Sequence, residues 1–293
     1  MNNLRKIFLF LLTIVALYSC RNNEEDTQTT QIVNNEDHNH EHEEEEWSKV
    51  EFRFIEGHSH GYFHGTPEYP GLKYLKVIQR YVFEYKDGKL VPSKDNPEAI
   101  RWSGDDLSVP SIALAGLEII YYNDKGERVK AYSGKAGEHH QHFFLAENIR
   151  ANKNEPNVKL PTEVFSYSYR DTDPEDLYFK VPAGSTAPTS KLIKERIGVK
   201  GFFTVNKSYV DFDLRVILGH YGKKPSDLPY NTIPQIREYD VKIPIHIYTD
   251  FNYEDRFLKD AANEFGVSEE EIQKDKEIRL TSDINGESSV IHL

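Results

Sequence analysis

Val210-Asp211-Phe212-Asp213-Leu214-Arg215-Val216 and, further along, Val241-Lys242-Ile243-Pro244-Ile245-His246-Ile247 alternate apolar and polar side chains with a period of two. Successive side chains of an extended chain point to opposite faces. Val210, Phe212, Leu214 and Val216 therefore make one apolar face, and Val241, Ile243, Ile245 and Ile247 another. His246 falls opposite the isoleucine stripe, where a surface or hydrogen-bonded role is expected. The same period runs outward through the chain. Val50, Phe52 and Phe54 alternate with Glu51, Arg53 and Ile55, while Leu75, Val77, Tyr81 and Phe83 share a face opposite Lys76, Arg80 and Glu84. Lys86-Asp87-Gly88-Lys89 predicts a tight hairpin turn of the Asp-Gly kind. A second hairpin is expected over Leu117–Tyr122 and Arg128–Tyr132, and a third over Ile197–Val205 and Tyr209–Leu218, turning at Asn206-Lys207. Val164–Tyr169 and Leu177–Val181 are shorter candidate strands.

Helix is expected only near the end. Phe257, Ala261 and Phe265 recur at helical spacing, and Gly266 is placed to cap that segment. Ser268 with Glu271 makes a capping box, with Val267 and Ile272 as its hydrophobic staple. The expected fold is mainly β: an antiparallel β-sandwich, or two packed β domains, closed by short C-terminal helices. The domain reading runs from a signal segment (1–19) and a tether (20–46) to an N-terminal β domain (47–181). After a loop at 182–190 comes a C-terminal β region (191–293).

The composition narrows the function. The chain has 293 residues, 36 Lys+Arg against 48 Asp+Glu and a net charge of −12. That acidity excludes a nucleic-acid partner, which requires a basic footprint. The 18 Tyr, 16 Phe and 2 Trp suit half-buried strands. One Cys and one Met stand beside 12 His. A disulfide framework, a thiolate zinc finger and an iron–sulfur cluster are thereby excluded.

At the start, Arg5 and Lys6 precede an apolar run from Ile7 to Leu17, too short to span a bilayer comfortably. The run closes on Leu17-Tyr18-Ser19-Cys20, which resembles the lipobox of bacterial lipoproteins. The resemblance implies lipidation of Cys20, anchoring of the protein to a membrane through that lipid, and a cell-envelope location at the outer membrane. Arg21-Asn22-Asn23-Glu24-Glu25-Asp26 is similar to the acidic surface-export signal of Bacteroidota lipoproteins, which implies display on the cell surface. From Arg21 to Glu46 the chain is polar and acidic and cannot bury a core. It ends in a His/acid tract holding His38, His40 and His42.

The sharpest feature is Glu56-Gly57-His58-Ser59-His60-Gly61-Tyr62-Phe63-His64-Gly65. In extended backbone His58 and His60 point the same way, about 7 Å apart, close enough for both imidazoles to reach one ion. Gly61 and Gly65 permit the fold-back that brings His64 to them. A second cluster, Glu138-His139-His140-Gln141-His142, follows the second predicted hairpin. If the two clusters adjoin, a three- or four-His site forms, with Glu56, Glu68 and Glu138 available to orient the rings or supply oxygen. The bland alternative is polar surface, the ordinary fate of histidine pairs in β loops; His220 and His246 read as isolated.

Imidazole with carboxylate and no thiolate or thioether favours zinc, or copper(II) or nickel, over Cu(I). The acidic run Asp171 to Asp176 lacks a calcium-loop glycine and reads as a solvated turn. No nucleophile elbow, phosphate loop or dinucleotide fingerprint occurs. Three function classes follow. The first is a lipoprotein that captures a transition metal through His58, His60, His64, His139, His140 and His142, delivering it to an outer-membrane transporter. The second is a sandwich module binding glycan, peptide or protein through aromatic platforms. The third is a metallohydrolase keeping an open water position on the ion.

Overall fold

Alternating strands of this kind must hide one face each, and the chain does so by packing two sheets against one another. The computed structural model describes residues 46–59, 63–66, 68–106, 113–132, 134–173, 175, 191–250, 252–284 and 291–292. Cys20 with its signal segment, the tether histidines, His60 and the candidate strand at 177–181 lie outside them.

The larger sheet is built on β1 (Lys49–Ser59), which pairs antiparallel with β3 (Ile78–Lys86) on one side and β6 (Leu114–Tyr122) on the other. Beyond β6 come β12 (Lys200–Val205) and β9 (Phe165–Tyr169). At the far end of β1, β2 (Phe63–Gly65) and then β15 (Ile291–His292) extend the sheet. The Asp-Gly hairpin forms as expected, joining β3 to β4 (Lys89–Pro92) with Asp87 at φ 52° and Gly88 at φ 73°. Positive φ at both central residues gives the turn the twist that antiparallel strands need. β6 continues into β7 (Arg128–Val129) through the second hairpin.

The smaller sheet runs β5 (Ile100–Gly104), β14 (Arg237–Asp250), β13 (Val210–His220), β8 (His140–Ala151). All its pairings are antiparallel except β5 with β14. β10 (Thr172–Asp173) and β11 (Lys191–Leu192) make a separate two-stranded ladder.

The inward stripes meet in one shared core. Phe52, Phe54, Leu117, Ile119 and Phe203 from the larger sheet pack on Phe212, Leu214, Ile243, Ile245 and Phe144 from the smaller, all buried. Strands from either side of residues 182–190 are interleaved in both sheets: β12 lies between β6 and β9, and β8 pairs with β13.

Two expectations need correction. β12 and β13 do not pair as a hairpin; each joins a different sheet, so residues 206–209 cross between the layers. Tyr209 takes a positive φ of 62° there. Both strands have an apolar face, and the crossover lets Phe203 and Val205 from one sheet and Val210 and Phe212 from the other enter the same buried core. The strand expected from Leu75 begins only at Ile78, because Leu75 turns away to pack on helix and Val77 joins a small cluster with Tyr69 and Leu72.

The C-terminal helices form where the pattern placed them. α1 (Glu254–Phe265) ends on Gly266 in the left-handed conformation, its N–H bonded to the Ala262 carbonyl. α2 (Glu269–Ile284) starts with the capping box: Glu271 N–H donates to Ser268 Oγ at 3.3 Å, and Ser268 N–H to Glu271 Oε2 at 3.2 Å. Ile272 is fully buried beside Leu75, Tyr248 and Ala261. Asp275 pins α2 to the loop before β3 by accepting the backbone N–H groups of Lys73, Tyr74 and Leu75 at 3.0, 2.6 and 3.0 Å. No helix among the described residues is long and apolar enough to cross a membrane.

Candidate metal centre

β8 opens with His140, whose ring is wholly buried, and the antiparallel register sets His220 at the end of β13 directly opposite it. Facing residues of an antiparallel pair have Cβ atoms about 5 Å apart, so the rings meet. His220 Nδ1 lies 2.8 Å from His140 Nε2. The third member comes from a bulge. Leu218 pairs with Tyr239 but Gly219 pairs with Arg237, leaving Glu238 as an extra residue on β14. A bulge re-aims the side chain it carries. Here Glu238 Oε1 comes within 2.9 Å of His220 Nδ1 and 3.6 Å of His140 Nε2. Gly219 makes room at this bulge, since a Cβ there would fall 2.8 Å from Pro234 and 2.9 Å from the Phe143 ring.

These three ligand atoms enclose a point that an ion can occupy. Bonds of about 2.0–2.1 Å in tetrahedral geometry put ligand atoms about 3.3 Å apart, within the observed spread. The tautomer also suits ligation. His140 Nδ1 lies 2.7 Å from the Ala136 carbonyl, which only accepts, so the proton resides on Nδ1 and the Nε2 lone pair faces the centre. Burial works to raise the Glu238 carboxyl, but the adjoining His140 and His220 rings, when protonated, outweigh it and hold it down at about 2. The group thus presents one carboxylate and two imidazoles, with His220 and Glu238 on the partly exposed side.

The remaining predicted ligands go elsewhere. His142 is a core residue. Its Nδ1 donates to the Ile197 carbonyl at 2.8 Å, and its Nε2 sits 2.8 Å from Tyr121 Oη and 2.9 Å from Tyr239 Oη. Burial pushes its pKa down to about 3, so the ring is neutral and its nitrogens are committed to hydrogen bonds. His139 Nδ1 lies 3.0 Å from the Tyr221 carbonyl.

The first cluster does not adjoin the second. His142 packs on Tyr121, whose partner on β1 is Val50, whereas His58 lies eight residues further along that strand, about 26 Å away. His58 and His64 are directly paired in register, and His292 pairs in turn with His64 across β15. Glu138 is exposed beside the centre; Glu56 and Glu68 lie at the other end of the molecule, with Glu56 bonded by Arg279.

His220 and Glu238 escaped the sequence reading for a structural reason. Each is isolated in the chain, and only the pairing of β8 with β13 and the bulge in β14 bring them to His140. His246 is likewise not idle: Nδ1 meets Asp211 at 2.5 Å and Nε2 meets Glu264 at 2.8 Å. The acidic run beginning at Asp171 is also not a solvated turn at its first residue. Asp171 is buried and accepts the N–H groups of Ile197, Gly198, Val199 and Lys200 at 2.9–3.2 Å.

Comparison with protein-family models, curated proteins and solved structures found no match to this chain.

Proposed function

We propose that this protein is a lipid-anchored envelope protein that binds a transition metal, zinc by preference, at His140, His220 and Glu238. The observation that carries the reading is the mutual separation of their ligand atoms, 2.8, 2.9 and 3.6 Å, combined with a His140 tautomer that leaves Nε2 as acceptor. Two imidazoles and a carboxylate suit Zn(II), with copper(II) and nickel as competitors. The lipobox at Cys20 supports anchoring to the outer membrane, and the acidic residues after it support surface display.

Three protein ligands leave a fourth position open. An open position lets an ion enter and leave, which supports capture and hand-over to an outer-membrane transporter. The same feature favours a metallohydrolase as the second reading, with a water in that position. His58, His60 and His64 stand as a separate candidate site.

The test is a Zn(II) titration of the intact, tag-free protein against a competing chelator. His140→Ala and His220→Ala should each weaken binding at least 10-fold, and Glu238→Gln should do the same while leaving the sandwich folded. Unchanged affinity in all three variants overturns the site. A loss confined to a His58/His60/His64→Ala triple variant moves the function to that segment instead.

A further inference from the structure

A cavity of about 870 Å³ opens at the other end of the sandwich, between the start of β3, the edge strand β5 and the two helices. It is framed by strong local structure. The Gln79 side chain bridges the sheet edges, its Nε2 donating to the Arg101 carbonyl at 2.7 Å and its Oε1 accepting the Arg101 N–H at 2.9 Å. One wall is aromatic. Tyr74 and Tyr248 both pack on Phe265, with ring centroids 5.7 and 5.9 Å away, and Tyr248 is backed by the buried cluster of Leu75, Ala261 and Ile272.

Its charge opposes that of the chain. Two lining carboxylates, Glu56 and Glu68, face six cations: Lys73, Lys76, Arg80, Arg101, Lys276 and Arg279. Some of these are engaged. Arg279 binds Glu56 at 3.3 Å, Arg101 binds Glu264 at 2.7 Å, and Arg80 lies 3.5 Å from Glu51 and 3.6 Å from Glu68. Among the described residues no carboxylate forms an ion pair with Lys73 or Lys76; the Lys76 ammonium bonds only the neutral Leu72 carbonyl. Two of the six also lie over wall aromatics, Arg101 5.8 Å from the Phe265 ring and Lys276 5.9 Å from Phe257. An apolar wall beside uncancelled lysines complements a molecule with a flat or branched apolar body and an anionic head, in a volume usual for small-ligand sites.

We infer that this cavity binds a small organic anion, its apolar body against Tyr74, Tyr248 and Phe265 and its acidic group at Lys73 and Lys76. The site shares no residue with the His140, His220 and Glu238 group.

Two dyes of similar ring system test it on the intact protein: 1-anilinonaphthalene-8-sulfonate and its uncharged counterpart N-phenyl-1-naphthylamine, titrated by fluorescence. The sulfonate should bind with one saturable site and at least 10-fold more tightly than the neutral dye. A Lys73→Glu/Lys76→Glu double variant should erase that preference, whereas Lys89→Glu/Lys125→Glu, the same charge change at two hairpin turns, should retain it. Both lysine pairs are exposed, and a cooperative melt of each variant guards against dye uptake by unfolded chain. Equal or tighter binding of the neutral dye, or retention of the preference in Lys73→Glu/Lys76→Glu, overturns the anionic class. Absence of saturable binding by either dye overturns the site.

Discussion

Asp171 shows how much a single side chain can hold in this molecule. Four consecutive backbone N–H groups, those of Ile197 to Lys200, have its buried carboxylate as acceptor. Removing it orphans buried donors, and charge-assisted hydrogen bonds of this kind are worth about 1.5–3 kcal/mol. Asp171→Ala is therefore expected to destabilise the fold by about 3 kcal/mol, seen as a lower urea midpoint with an unchanged slope. Asp171→Asn, which keeps an acceptor, should recover part of the loss. His142 makes a parallel case. Its ring is consumed by Ile197, Tyr121 and Tyr239, so His142→Gln should lower stability while zinc affinity at His140 and His220 changes little.

At the scale of elements, α1 is fastened to the smaller sheet by a proton. His246 on β14 lies between Asp211 on β13 and Glu264 on α1, with Arg101, Lys153 and Arg150 around the two carboxylates. Burial alone lowers its pKa, but the bonds to Asp211 and Glu264 prevail and raise it to about 9 from an ordinary 6.5. A group raised in this way gives its full stabilisation below the unfolded value and loses it as pH climbs through the folded value. The contribution, on the order of 2–3 kcal/mol, should be intact at pH 6 and fade between about pH 6.5 and 9. The difference in unfolding free energy between wild type and His246→Gln isolates it from the other titrating groups. A difference independent of pH would contradict this role. The bulge in β14 is the second device at this scale. Gly219→Ala forces a Cβ onto Pro234 and Phe143, should cost about 1–3 kcal/mol, and should weaken zinc binding by displacing Glu238.

Across the whole molecule, two sites of opposite character sit at opposite ends of the sandwich. The His140, His220 and Glu238 group lies with His142 and Tyr121 near the start of β1, and the cationic cavity begins at Glu56 near its end. Zinc titration and dye binding should accordingly leave each other unaffected, a whole-chain prediction checked by repeating each measurement at saturation of the other.

What could be read directly from the chain was whatever depends on neighbours in sequence. The period-two stripes at 210–216 and 241–247, the Asp87-Gly88 turn, the Gly266 cap and the Ser268/Glu271 capping box all follow from interactions spanning a few residues. That is why the mainly β class and the terminal helices were legible, as was His140 as a candidate ligand. Tertiary structure decided which strand pairs with which. Apolar alternation says that a strand has a face to bury but not against what, so the 197–218 segment reads as a hairpin and folds as a crossover between sheets. The same limit hid the candidate metal centre. His140, His220 and Glu238 lie far apart along the chain and meet only because β8 pairs with β13 in one register and β14 carries one residue too many.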